Sequence, residues 1–198
     1  MDDGYIKFDL EWIKGAAPNL SGLEELLFWR DNMYALGLIG YDKQYKVGFG
    51  NISQKIGDKE FVISGTQTGH IDSLGIDHYT IVKEYNIQEN ALTCFGPVKA
   101  SSESLTHAAI YEADPIINAV IHIHHDAQWL KWLGDLPTTA ENIPYGTPEM
   151  ALEIHRLFKE TPKGEMKVIA MAGHQGGLIS FGETHTEAAA PFLEVFDR

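Results

Sequence analysis

Cysteine is almost missing from this sequence: Cys94 is the only one in 198 residues. A lone cysteine closes no internal disulfide, so the core must hold the fold and no oxidising compartment is needed. Cys94 itself reads as an inert buried thiol. Basic residues are also scarce, with 15 Lys and Arg against 28 Asp and Glu and a formal net charge of −13. Such a surface repels nucleic acid and anionic membrane, so neither is expected as a partner. It does not exclude a small anionic substrate, because a phosphate site needs only local N–H groups or one cation. No apolar run reaches about 18 residues, so no segment reads as a membrane span. Residues 1–7 carry acid where a secretory signal carries base. A cytoplasmic protein is expected. Repeats, low-complexity tracts and linker-like Pro/Gly/Ser stretches are absent too. At about 150 residues per domain, a single domain over residues 1–198 is expected, large enough for a real core.

What is present is an ordinary globular balance, 44% hydrophobic and 22% charged. Ser21 and Glu24 fit a capping box, followed by an apolar face of Leu23, Leu26, Leu27, Met33 and Leu36. Gly37 or Gly40 can end that helix. Residues 45–53, 60–64, 80–85 and 91–95 are short, β-branched or aromatic and bounded by turn residues, which predicts strands. The pattern then predicts a helix over 104–113, stopped before Pro115, and a strand over 118–124. Thr147, Pro148 and Glu149 form a helix start. A strand over 167–171 follows. Thr184 and Glu187 open a last helix to about residue 196, with Pro191 inside it as a kink. Several strands follow one another without a crossover helix, which predicts a mixed sheet covered by helices.

His122 and His124 are two apart on the strand predicted over 118–124, so both imidazoles point to one face and can share a metal. His125 would face the other way. The pair also fits two ordinary histidines, one at a strand end and one in the core. A catalytic metal site needs a third ligand, and His174 is the best placed, after an apolar strand and among Gly173, Gly176 and Gly177. Ser101 and Ser102 precede a helix start, where hydroxyls and N–H groups suit a phosphate or simply cap the helix. Glu103 can stabilise the first turn or, beside a metal, act as a general acid/base. Residues 48–53 and 64–69 are loops rich in N–H, hydroxyl and amide groups; each alone is no more than a weak anion-site signal. His70, His78, His107, His155 and His185 read as surface or capping histidines.

In this order the pieces resemble the class II aldolase/adducin family. Its pattern is Gly-Asn-x-Ser, a Thr/Ser-Gly loop, Ser-Ser-Glu, His-x-His and a late His-Gly. Here these are Gly50, Asn51 and Ser53; Thr68 and Gly69; Ser101, Ser102 and Glu103; His122 and His124; and His174. Glu103 precedes His122 by 19 residues, with room for one helix and one turn, as in the aldolases. The resemblance implies an α/β fold: one three-layer domain with a largely antiparallel central sheet and helices on both sides. It implies that His122, His124 and His174 hold one Zn²⁺, or another divalent transition metal. It implies that Gly50, Asn51, Thr68, Gly69, Ser101 and Ser102 cradle the phosphate of a small phosphorylated sugar. Glu103 would be the catalytic acid/base. The implied reaction is cleavage of a ketose phosphate to dihydroxyacetone phosphate and an aldehyde, in a homo-oligomer, commonly a tetramer.

Two stretches depart from the pattern. Residues 173–177 read Gly-His-Gln-Gly-Gly, so His174 fits if the loop carries two extra residues. The loop over 64–69 is longer than usual, leaving Ser64 and Gly65 as an alternative to Thr68 and Gly69. The same site also suits a sugar-phosphate 4-epimerase or a dehydratase. The glutamate after Ser102 favours the aldolase, because the epimerases resemble Ser-Ser-Asp there. A non-catalytic adducin-like binding module would have no need of His122, His124 and Glu103 together.

Overall fold

Ala119, Ile121 and Ile123 alternate with Val120, His122 and His124, and the strand they form lies near the middle of the molecule. A computed structural model describes residues 5–19 and 21–196; Met1–Gly4 lie outside the described residues. In chain order the strands are β1 (Asp9–Lys14), β2 (Gly40–Asp42), β3 (Val47–Phe49), β4 (Asn51–Lys55), β5 (Phe61–Ser64), β6 (Tyr79–Asn86), β7 (Ala91–Gly96), β8 (Ala119–His124), β9 (Val168–Ala170) and β10 (Gly177–Gly182). The helices are α1 (Glu24–Ala35), α2 (Ser104–Ala113), α3 (Asp126–Trp132), α4 (Pro148–Glu160) and α5 (His185–Phe196).

Eight strands form one sheet in the order β1-β7-β6-β5-β4-β8-β10-β9, and β2 and β3 make a separate hairpin. Every neighbouring pair in the large sheet is antiparallel except the edge pair β1 and β7. The side-chain alternation of β8 then sorts the molecule into layers. Ile121 and Ile123 face one core, shared with Leu26 and Met33 of α1 and with Ala188, Ala189 and Phe192 of α5. Val120 faces the other, shared with Leu105 and Ala109 of α2 and with Met150 and Ile154 of α4. The result is a mixed α/β single domain of three layers. Each large core side chain so buried contributes about 1.5–3 kcal/mol.

The helix ends follow their local chemistry with one exception. Thr147 caps α4, its hydroxyl accepting from Met150 N at 3.3 Å. At α5, Thr184 Oγ1 accepts from Glu187 N at 3.1 Å, and Glu187 reaches back to Glu183 N at 3.0 Å. The helix continues through Pro191. The capping box expected at Ser21 does not form. α1 begins only at Glu24, and its N-cap Leu23 makes no side-chain cap bond. Gly22, with φ +81°, turns the chain just before the helix and separates Ser21 from it. The other end behaves as expected, with Gly37 at φ +72° just past the C-cap.

Candidate active site

The register between β8 and β4 sets the site. Asn51 lies opposite His122, and Ser53 lies opposite Val120. Asn51 and Ser53 therefore share a face with both histidines, at the end where the α2/α4 core stops. His122 is buried. α2 starts beneath them, and Glu103 at its N-cap is 2% exposed. His174 arrives on the turn between β9 and β10. That turn closes through His174 N to Met171 O at 3.0 Å and Gly177 N to His174 O at 2.8 Å. A β-carbon on Gly177 would stand 2.6 Å from the His174 ring, so the ring folds over bare backbone. This is how a histidine placed before Gln175 and Gly176 still reaches the cluster.

The three imidazoles meet. One ring nitrogen from each of His122, His124 and His174 lies within 4.8 Å of the others. His124 Nε2 and His174 Nε2 are 3.0 Å apart. Glu103 closes the group, with Oε2 in contact with His122 Nδ1 and Oε1 3.5 Å from His174 Nε2. Asn51 Nδ2 lies 3.3 Å from Glu103 Oε2 and 3.3 Å from His122 Nδ1. Among the described residues, His122 Nε2, Glu103 Oε1 and Asn51 Oδ1 are buried with no hydrogen-bond partner. Buried polar atoms normally have partners, and a bound cation or substrate would supply them. Three imidazoles that need contract only modestly to reach metal–nitrogen distances of about 2.0–2.1 Å fit a divalent transition metal.

The electrostatics agree with that donor set. Burial holds His124 well below the usual histidine range, and the His174 and His122 rings press the same way against Glu103. Burial likewise brings His174 down to about 4, opposed by Glu103 and helped by His122 and Lys7. Burial works against ionising Glu103, but His122, His174 and His124 outweigh it and hold the carboxyl well below the carboxylate range. Near neutral pH His124 and His174 are therefore neutral and Glu103 is a carboxylate, the protonation states that metal binding requires.

All ten expected site residues line one cleft: Gly50, Asn51, Thr68, Gly69, Ser101, Ser102, Glu103, His122, His124 and His174. Gly65 lines it as well, so the longer loop presents both of its glycines. The glycine-rich side of the cleft is made of backbone at close quarters. A β-carbon on Gly69 would meet Gly40 O at 2.2 Å, and one on Gly50, at φ +76°, would meet Ile39 at 2.7 Å. Several side chains there are already engaged. Thr68 Oγ1 donates to Gly65 O at 2.8 Å, and Ser101 Oγ accepts from Glu103 N at 3.3 Å. Ser102, 5% exposed, has no hydrogen bond from its hydroxyl among the described residues.

Two aromatic residues line the cleft as well. Phe49 packs on His124 with ring centroids 5.4 Å apart, and Tyr145 packs on His174 at 4.5 Å. Tyr145 sits between Pro144 and Gly146, a turn signal that marks a loop without saying where it lands. Two histidines expected at the surface or as caps are buried. His107 lies one turn after Glu103, with Nδ1 2.7 Å from Ser53 Oγ, which also meets Tyr111 OH at 2.7 Å. Burial pushes His107 down to about 3, with His122 adding to the effect and Glu103 opposing it. His185 lies 3% exposed, its Nε2 donating to Ser53 O at 3.1 Å. His125 faces away as expected and caps α3, accepting from Gln128 N at 3.1 Å.

Comparison with known proteins now adds the lineage. Residues 32–196 match the Class II Aldolase and Adducin N-terminal domain, and the chain belongs to that family. No curated protein matches it in sequence comparison. Among solved structures it is similar to an L-fuculose 1-phosphate aldolase, with TM-score 0.66 and 17% identity over 90% of this chain and 83% of that one. It is similar to YgbL from Klebsiella pneumoniae, with TM-score 0.64 and 19% identity over 88% and 84%. It is also similar to a sugar-phosphate aldolase from Thermotoga maritima, with TM-score 0.63 and 14% identity over 83% and 85%. At such identities these likenesses speak for the fold. Family and neighbours together make the chain a lyase-type enzyme of the class II aldolase kind. No helix among the described residues is long and apolar enough to cross a membrane.

Proposed function

We propose that this protein is a zinc-dependent aldolase that cleaves a small phosphorylated ketose to dihydroxyacetone phosphate and an aldehyde. The observation that carries the reading is the convergence of His122, His124 and His174 with the buried carboxylate of Glu103 in one cleft. His122, His124 and His174 would hold the metal. When bound, the metal supplies Lewis-acid stabilisation of negative charge developing on the substrate's carbonyl and hydroxyl oxygens.

The rest falls to the chain. Ser102, the Ser101 turn and the backbone at Gly50, Thr68 and Gly69 hold the phosphate, which fixes the ketose relative to Glu103. Asn51 keeps its amide on Glu103 and orients the carboxyl. In cleavage the carbon–carbon bond breaks, and its electron pair stays with the fragment that becomes dihydroxyacetone phosphate. The hydroxyl that becomes the aldehyde gives up its proton, the Glu103 carboxylate takes it, and Glu103 delivers it to that carbon. In the synthetic direction Glu103 takes the proton back. The reading includes a cytoplasmic location and assembly into a homo-oligomer, a tetramer by family likeness.

Elemental analysis of untagged protein tests the metal, with His174→Ala beside it. Zinc at about one per chain, lost in the variant, is the expected result. A screen of ketose phosphates should then release free dihydroxyacetone phosphate; an isomeric pentose phosphate instead would mark an epimerase. Absence of metal from both proteins, even after incubation with zinc, would overturn the reading.

A further inference from the structure

Arg30 is a full positive charge buried at 1% exposure, outside the segment that matches the family and outside the machinery described above. It projects from α1 into the loop that follows β5. Its Nη1 donates to Asp72 O at 2.9 Å, and its Nη2 donates to Thr68 O at 3.2 Å and also to Ile71 O. Its neighbour Asp31 grips the same loop, accepting from Ser73 Oγ at 2.6 Å and from Leu74 N at 3.2 Å. Asp31 is also the ion-pair partner, 3.3 Å from Arg30 Nη1.

A guanidinium wrapped in carbonyl oxygens is an unusual use of a buried charge. It offers five donors in a fixed fork and satisfies them here mainly on main-chain acceptors. The consequence lies on the far side of those peptides. No peptide bond among the described residues is cis, and in a trans peptide the C=O and the following N–H point in opposite directions. With Thr68 O held on Arg30, the N–H of Gly69 must point away from it. Thr68 and Gly69 line the cleft, and Gly69 is too tightly packed against Gly40, Gly48 and Phe49 to turn by itself.

We infer that Arg30 is the positioning residue of the anion loop: it fixes the Thr68–Gly69 peptide with its N–H toward the substrate phosphate and places a positive charge behind that peptide. The inference rests on the phosphate-cradle reading above and deepens it. No lysine or arginine is among the described residues that line the cleft. In a chain of net charge −13, a phosphate would otherwise meet an unfavourable field. Arg30 counters this without touching the ligand, by charge and by polarising the peptide it holds.

The test uses full-length, zinc-loaded protein and inorganic phosphate as the probe. Calorimetry gives phosphate affinity, with zinc content and Tm recorded beside it, and the Gly69 amide resonance is followed during titration. Arg30→Met keeps a long buried stem but removes the charge and donors; Ser102→Ala removes a cradle hydroxyl directly. Both should weaken phosphate tenfold or more with zinc content unchanged. The Gly69 amide should shift with phosphate in the wild type and not in Arg30→Met. Arg30→Lys keeps the charge with fewer donors, should recover part of the affinity, and carries the test should Arg30→Met fail to fold. Unchanged phosphate affinity in the Arg30 variants, with Ser102→Ala weakened, overturns the role of Arg30 and leaves the cradle standing. A wild-type Gly69 amide that ignores phosphate, together with an unaffected Ser102→Ala, overturns the cradle and this inference with it.

Discussion

The two walls of the cleft are built in opposite ways. One wall stands on regular structure: His122 and His124 on a central strand and Glu103 at the first turn of a buried helix. The other is the end of the small β2/β3 hairpin and a loop, residues 48–50 and 65–69, held in shape by close backbone contact and by a guanidinium from α1. The first wall borrows its precision from the sheet, where register fixes which atoms meet. The second lies outside the large sheet, so its geometry depends on glycines that admit close approach and on Arg30. The difference teaches where each kind of damage should appear. Changes on the strand wall should remove chemistry and leave binding. Changes on the loop wall should weaken binding and leave chemistry.

The sharpest break is at Glu103. Glu103→Gln keeps the shape and loses the proton-carrying carboxylate, so kcat for cleavage should fall by about 10²–10⁴-fold. Zinc content and phosphate affinity should stay near wild type, because all three imidazoles and the loop wall remain and the glutamine oxygen can still accept from His122 Nδ1. Turnover, metal analysis and calorimetry on one preparation decide this. Full turnover in the variant would remove Glu103 from the mechanism.

On the loop wall, Gly69→Ala should produce the opposite split. Its new β-carbon would lie 2.2 Å from Gly40 O, a backbone atom that cannot swing aside. The loop must shift, at a stability cost of about 1–3 kcal/mol. KM and phosphate affinity should weaken by roughly tenfold, the equivalent of about 1.4 kcal/mol. Zinc content should not change, and kcat at saturating substrate should change little. A variant that loses zinc instead would mean that the two walls are mechanically coupled.

The same contrast governs what could be read from the sequence. The strand wall was legible because period two is a local rule: His122 and His124 share a face wherever the strand goes. The span 104–113 read as a helix is α2 itself, and Thr147 caps α4 as expected. The loop wall was legible only through family likeness, since no periodicity describes residues 65–69. Strand β10 escaped because it begins in a run of glycines, and β1 because it is a half-exposed parallel edge strand. Arg30 escaped for a deeper reason. A charged residue on a helix reads as a solvent face, and the carbonyls that bury it come from residues about forty positions away. His107 and His185 were misread likewise, since nothing adjacent in sequence announces that Ser53 will meet both.

His185 gives the mildest way to sharpen the comparison, because it supports β4 from behind without lining the cleft. Burial lowers its pKa to about 4, opposed by its hydrogen bond to Ser53 O. An unfolded histidine titrates near 6.5, so above that pH neither state binds the proton and the buried neutral ring contributes in full. Between about 6.5 and 4 the unfolded chain takes up a proton that the folded ring refuses, and stability falls with pH. Below about 4 both states are protonated and the loss levels off, at a total on the order of 3 kcal/mol. His185→Gln abolishes this titration. Urea unfolding should be followed against pH on metal-stripped protein, so that proton competition at the three-histidine cluster affects both proteins alike. Wild type should lose more stability than the variant between pH 6.5 and 4, with a slope steeper by up to about one proton. Equal slopes would mean that His185 protonates in the folded state near its ordinary pKa, and that the contact with Ser53 is too loose to brace β4.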